Sequence, residues 1–245
     1  MNRIQALFRE KRVAHKSAYV AYLTMGAPSL RGSFSAAETL LQEGVDILEL
    51  GVPCANPVLD GPIIRKAASL ALANGITLAD ILAEIPVLRA KHPKTPLVLF
   101  SYLNSIETYG LERFAAEGGR VGVDAVLVPD LKEERRGEVL RVLRSCGLTL
   151  VPLVGPTMDE ARIRESAAGM DDSFVYAVTM KGLTGQHLAL SSELAARLET
   201  IKKLTTLPVV AGFGIRTPEE GVRIAAHCDG FVIGSALVER FMSIP

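Results

Sequence analysis

Tryptophan is absent and the other aromatics are sparse, five tyrosines and eight phenylalanines in 245 residues, so the places where those rings fall carry information. Net charge is missing as well. Twenty-seven Lys+Arg stand against 27 Asp+Glu, which gives no general electrostatic pull toward nucleic acid or acidic membranes; a small molecule is the better default partner. No apolar run reaches the roughly 18 residues that a membrane span requires. Met1 to Lys16 interleaves apolar residues with Arg, Lys and Glu, which does not read as a signal peptide. The three cysteines, Cys54, Cys146 and Cys228, are odd in number and far apart, against a disulfide framework. His15, His92, His187 and His227 show no metal-ligand spacing, and His227-Cys228 lacks a second pair. The expectation is a cytoplasmic, reduced protein with no bound metal. Linkers, charge blocks and low-complexity tracts are also missing, so residues 1–245 read as one domain.

Against those absences, apolar residues make up 49% of the chain, as expected where a parallel sheet is covered on both faces. Asn2 to Arg12 places Ile4, Leu7 and Phe8 at helical spacing and predicts an opening amphipathic helix that covers one end of the fold. Eight short apolar runs then read as strands: Ala18 to Thr24, Val45 to Leu50, Leu97 to Ser101, Ala125 to Val128, Thr149 to Leu153, Phe174 to Val178, Pro208 to Gly212, and Gly230 to Ile233. Helical patterns lie between them, such as Val139, Val142, Leu143 and Cys146 on one face. Eight alternating units in this length predict an α/β fold, a (β/α)8 TIM barrel with an additional N-terminal helix. The competitor, an open doubly wound sheet, lacks its Gly-x-Gly-x-x-Gly: the first strand continues Thr24-Met25-Gly26-Ala27-Pro28.

Strand starts are 52 residues apart between positions 45 and 97, and 34 apart between 174 and 208. In a barrel the loops after strands carry the active site, so the elaborated loops after the second and sixth strands are candidate catalytic and lid segments. Part of the first interval is accounted for by an extra helix.

Glu49 stands among Ile47, Leu48 and Leu50 near the end of its strand. Desolvation raises a carboxyl pKa, which suits a group that gives and takes a proton near neutral pH; a buried structural carboxylate paired with a cation is the alternative. Asp60, in Asp60-Gly61-Pro62, fits turn and helix-start chemistry as well as catalysis. Asp46 and Asp130 read as structural and capping residues. Tyr22, Phe100, Tyr102, Tyr176 and Phe213 lie in or just beyond strands, where they could line a flat apolar pocket or simply fill the core. Gly212-Phe213-Gly214 and Gly234-Ser235 follow the last two strands, where phosphate-binding barrels use glycine backbone and a helix start to hold the anion. Thr184-Gly185 could close over that site. Tight turns and N-caps explain each piece taken singly.

With those residues assembled, the sequence resembles the α subunit of tryptophan synthase. The resemblance rests on Glu49-Leu50-Gly51-Val52-Pro53 with Pro57 and Asp60-Gly61-Pro62, then Tyr102-Leu103-Asn104, Val121-Gly122-Val123-Asp124 leading to Asp130, Gly182-Leu183-Thr184-Gly185, Gly212-Phe213-Gly214-Ile215 and Gly234-Ser235. It implies a carbon–carbon lyase of tryptophan biosynthesis that splits indole-3-glycerol phosphate into indole and glyceraldehyde 3-phosphate. By the same resemblance Glu49 is the principal acid/base and Asp60 interacts with the indole NH. Tyr22, Phe100, Tyr102, Leu127, Leu153, Tyr176 and Phe213 match ring-pocket positions by type. Thr184, Gly185, Gly214, Gly234 and Ser235 match lid and phosphate positions. The implied partner is a β subunit in an α2β2 assembly, which would hold pyridoxal phosphate, with no cofactor in this chain. Cys54, Ala55, Asn56, Pro57 and Asn104 fall on the implied partner surface.

Three departures bear on that expectation. The family usually has Phe-Ser-Asp where this chain has Cys54-Ala55-Asn56; an Asp-to-Asn change forfeits a charge-assisted pair, roughly 1.5 to 3 kcal/mol if desolvated. Met180 and Lys181 stand where an arginine is usual. The family typically continues into another helix beyond the position of Pro245, so closure at that end is expected to be weaker or supplied by the opening helix. Two alternative roles remain beside the working subunit: a weakly catalytic or non-catalytic allosteric activator of a β subunit, and a stand-alone indole-releasing lyase.

Overall fold

The computed structural model describes residues 1–178, 191–212 and 214–243. In chain order the described elements are α1 (Arg3–Val13), β1 (Ala18–Thr24), α2 (Leu30–Gln42), β2 (Ile47–Gly51), α3 (Pro62–Ala73), α4 (Leu78–Lys91), β3 (Leu97–Phe100), α5 (Leu103–Tyr109), α6 (Leu111–Val121) and β4 (Ala125–Leu127). They continue as α7 (Glu133–Ser145), β5 (Thr149–Leu150), β6 (Leu153–Val154), α8 (Glu160–Ala167), β7 (Val175–Val178), α9 (Ser192–Leu204), β8 (Val209–Gly212), α10 (Pro218–Ile224), a 3-10 turn (Ala225–His227), β9 (Gly230–Ile233) and α11 (Ser235–Met242).

Hydrogen bonding runs in the order β5-β4-β3-β2-β1-β9-β8-β7-β6, parallel at every pairing. The two ends of that order, β5 and β6, are the expected fifth strand divided at Val151-Pro152. Proline has no N–H to give to a ladder. The Val151 amide still donates to Val126 O at 2.9 Å on one side, while the Pro152 carbonyl accepts from Tyr176 N at 2.9 Å on the other. One extended segment thus passes from the β4 neighbour to the β7 neighbour, and the sheet closes into the expected (β/α)8 TIM barrel.

Side-chain alternation separates two apolar layers. Val20, Tyr22, Ile47, Val98, Phe100, Leu127, Tyr176, Val210 and Val232 fill the barrel interior. Their strand neighbours, among them Ala21, Leu48, Leu50, Leu99, Val126 and Ile233, pack outward under the helices. Both sets are apolar, which is why the strands lack a polar/apolar alternation in sequence.

Helix α1 stoppers the barrel at the N-terminal ends of the strands. Its N-cap Asn2 forms a capping box with Gln5, and its apolar stripe buries Ile4 and Phe8, with Phe8 against Phe174 at 5.8 Å between ring centroids. Polar contacts fasten it. Asn2 Nδ2 donates to Asp172 O at 2.6 Å and Gln5 Nε2 to Asp171 O at 2.9 Å. Buried Asp124 accepts from Arg3, from Arg89 and from the Leu97 amide at 2.8–2.9 Å. With this end sealed, the opposite end, at the strands' C-termini, is left for a site. Among the described residues no single helix is long and apolar enough to cross a membrane; α3 and α4 meet such a test only as a pair bent by 99°.

Candidate active site

Inward alternation places Ile47, Glu49 and Gly51 on the barrel side of β2, with Glu49 level with Tyr22 on β1 and Val98 on β3. Glu49 is 1% exposed. Burial pushes its carboxyl up to about 8, and Oε1 has no hydrogen-bond partner among the described residues. Among the described residues no cation pairs with it, and burial alone accounts for the shift.

Asp60 reaches the same space by a different route. The chain leaves β2 with Val52 N bonded to Phe100 O at 2.8 Å, crosses the proline-rich loop, and enters α3 at Pro62, whose fixed φ suits the first helical position. Asp60, 4% exposed, is thereby held just ahead of the helix, its carbonyl accepting from Arg65 Nε at 2.6 Å. Burial raises its carboxyl to about 6; a hydrogen bond from the Tyr102 hydroxyl and the charge of Arg65 pull the other way. The two acids are therefore in different states near neutral pH, Glu49 protonated and Asp60 ionised.

Both line a cavity at the C-terminal end of the barrel, with Tyr22, Phe100 and Tyr176 among its walls. Phe100 meets Tyr22 edge to face at 5.4 Å. Gly51 and Gly212 leave room for the rings: a Cβ at Gly51 would collide with Tyr22, and one at Gly212 with Tyr176.

The far side of the cavity is formed by Gly214, Ile215, Arg216, Gly234, Ser235 and Ala236. Gly214 adopts a φ of 82°, open to glycine at no steric penalty. Helix α11 begins there with no side-chain cap on its first amides, so its unpaired N–H groups and dipole suit an anion.

Of the residues singled out in the sequence, Tyr22, Glu49, Asp60, Phe100, Tyr176, Gly214, Gly234 and Ser235 meet at this cavity. Leu127 and Leu153 belong to the inner core rather than the cavity wall. Tyr102 stands behind Asp60, with its hydroxyl accepting from Leu59 N at 3.1 Å. Thr184, Gly185 and Phe213, with Met180 and Lys181, lie outside the described residues. Sequence reading passed over Ile64, Ile215, Arg216, Val232 and Ala236. Arg216 had a signal, a cation directly after Gly-Phe-Gly-Ile; the others look like any core residue.

On the outer side of the β2 loop, Cys54, Ala55, Asn56 and Asn104 line a groove with Val58, Leu72, Tyr102 and Tyr109. Val58 and Leu59 are 52% and 39% exposed. Pro57 is adjacent and half-buried.

The fold and the cavity together define a barrel enzyme of the acid–base class, with paired carboxyls at one side and the uncapped start of α11 at the other. A sequence model of the tryptophan synthase alpha chain matches residues 8–244. The alpha chain from Citrifermentans bemidjiense is 42% identical over 241 residues, 98% of this chain and 90% of that one. A solved tryptophan synthase alpha chain from Legionella pneumophila superposes with a TM-score of 0.86 at 33% identity, covering 98% of this chain and 87% of its own. A Mycobacterium tuberculosis tryptophan synthase structure gives 0.89 at 30% identity, covering 97% and 90%. The chain belongs to the tryptophan synthase alpha chain family.

Proposed function

We propose that this chain cleaves indole-3-glycerol phosphate to indole and glyceraldehyde 3-phosphate, as the α subunit of tryptophan synthase. The observation that carries the reading is the buried Glu49 carboxyl, whose Oε1 has no partner among the described residues, on the same cavity as Asp60. Carbon–carbon cleavage requires an electron sink. Protonated Glu49 gives its proton to indole C3, which places positive charge on the ring nitrogen. Asp60, ionised, accepts the indole N–H and stabilises that charge. The resulting Glu49 carboxylate takes the proton of the glycerol hydroxyl on the carbon attached to C3. As that oxygen becomes the aldehyde carbonyl, the C–C bond electrons return to the ring and restore neutral indole. Glu49 ends protonated, so the cycle closes without net proton uptake.

Tyr22, Phe100 and Tyr176 clamp the ring, supported by Leu127, Leu153 and Tyr102 and joined by Phe213. Gly214, Gly234 and Ser235 hold the phosphate, with Thr184 and Gly185 closing over it. All of this lies in one barrel domain spanning residues 1–245, acting in the cytoplasm. The partner is a β subunit in an α2β2 assembly, and pyridoxal phosphate chemistry belongs to that subunit. The exposed apolar residues Val58 and Leu59 beside Cys54, Ala55, Asn56, Pro57 and Asn104 support this face as its seat.

The test is indole release from indole-3-glycerol phosphate by the purified chain, with and without a tryptophan synthase β subunit. Release that the β subunit stimulates is expected. High release that the β subunit leaves unchanged would instead make the chain a stand-alone lyase, and no release under either condition a non-catalytic activator.

A further inference from the structure

The cavity presents an imbalance of charge. Among the described residues that line it, two are carboxylic acids, Glu49 and Asp60, and the only cationic side chain is Arg216. A phosphorylated substrate brings a dianion into a space where Asp60 is ionised. The start of α11 offers only partial charge, equivalent to roughly +0.5 of a unit.

We propose that Arg216 is a substrate-positioning residue whose guanidinium binds the phosphate of the substrate, leaving Glu239 to do so; this rests on the aldolase reading above. Three observations support it. Arg216 follows the Gly214-Ile215 wall, and its backbone amide donates to Glu220 Oε2 at 2.9 Å, which anchors the side chain's base at the cavity rim. Its ion pair is weak: Arg216 Nη2 lies 3.4 Å from Glu239 Oε2, with the two side chains 43% and 54% exposed, and such exposed pairs contribute little. Glu239 and Ser235 are four residues apart on α11, hence on one face, separated by about one 5.4 Å turn. Moving the guanidinium that distance carries it from Glu239 to an anion seated over Ser235. Its planar fork of N–H donors matches phosphate oxygens.

The experiment compares Arg216→Gln, Arg216→Lys and Glu239→Gln on indole-3-glycerol phosphate and on the dephosphorylated indole-3-glycerol. Arg216→Gln is expected to raise KM for the phosphorylated substrate about tenfold with kcat within about twofold. It should leave kcat/KM for the dephosphorylated compound unchanged, and Arg216→Lys should recover part of the loss. Glu239→Gln should lower KM, because the guanidinium is released. Equal effects of Arg216→Gln on both substrates would overturn the proposal, as would a rise of KM in Glu239→Gln, which would make the pair a structural tie. Titration with glycerol 3-phosphate reads the same contact without turnover. Tenfold weaker binding in Arg216→Gln supports the assignment even if the wild type cleaves nothing; equal affinity refutes it.

Discussion

The Tyr102 hydroxyl bonds the Asp60 carboxylate and also accepts from the amide of Leu59, the residue before it. One phenol therefore fixes both the loop and the acid it carries, and the same side chain lines the outer groove. Removing the hydroxyl withdraws an interaction that favours ionised Asp60. In Tyr102→Phe the acid limb of the kcat/KM profile is expected to move upward from its wild-type position, so activity falls more at pH 6.5 than at pH 8. An unmoved acid limb would show that the bond does not tune Asp60.

Cleavage by this chain should follow a bell-shaped profile. Activity rises as Asp60 ionises near pH 6 and falls as Glu49 loses its proton near pH 8. Asp60→Asn should remove the acid limb along with most of the activity. A profile of kcat/KM that climbs steadily through pH 9 would contradict the assignment of Glu49 as the proton donor.

Glu49 should also make the wild-type protein less stable as pH rises. Its folded-state carboxyl titrates near 8 and an unfolded one near 4.5. The folded state thus binds the proton more tightly, and its stability is greatest below the unfolded value and declines as pH climbs through the folded one. Glu49→Gln removes this slope. Urea unfolding should find the variant close to wild type at pH 4.5 and about 2 to 5 kcal/mol more stable at pH 8. Its kcat should fall by roughly 10²- to 10⁴-fold, because an amide cannot deliver the proton.

Gly51 and Gly137 provide a contrast. Substituting Gly51 with alanine forces the Tyr22 ring off the cavity wall, and KM should rise about tenfold in a folded protein, the loss expected from a displaced apolar contact of ~1.4 kcal/mol. Gly137 is inside α7 with open space around a built Cβ, so Gly137→Ala should stabilise the chain by about 0.5 to 1 kcal/mol and leave KM alone. Thermal melts and steady-state kinetics on the two variants separate the effects; an unchanged KM in Gly51→Ala would remove Tyr22 from the ring clamp.

What could be read in the sequence follows from the range of the interactions involved. The strands were legible because both faces of each are apolar, and the ends of β1 and β9 fall where the pattern placed them. The division of the fifth strand at Pro152 was not, because it depends on which neighbour each backbone group meets. Glu49 was conspicuous as a carboxylate in an apolar strand. Asp60 remained ambiguous, since its hydrogen bond comes from Tyr102, 42 positions later in the chain. The roles of Leu127 and Leu153 against Tyr22 and Phe100 depended on depth along the barrel, which residue type does not encode.

The stopper helix at the bottom of the barrel has a consequence for how the chain is made. Asn2 bonds to a residue 170 positions away, and Phe8 waits for Phe174. At ribosomal rates of about 5 to 20 residues per second, α1 emerges roughly 10 to 30 s before its seat exists. Helix α1 is thus made well before the residues it docks on. Through that interval Ile4 and Phe8 lack the inner core that covers them in the folded chain.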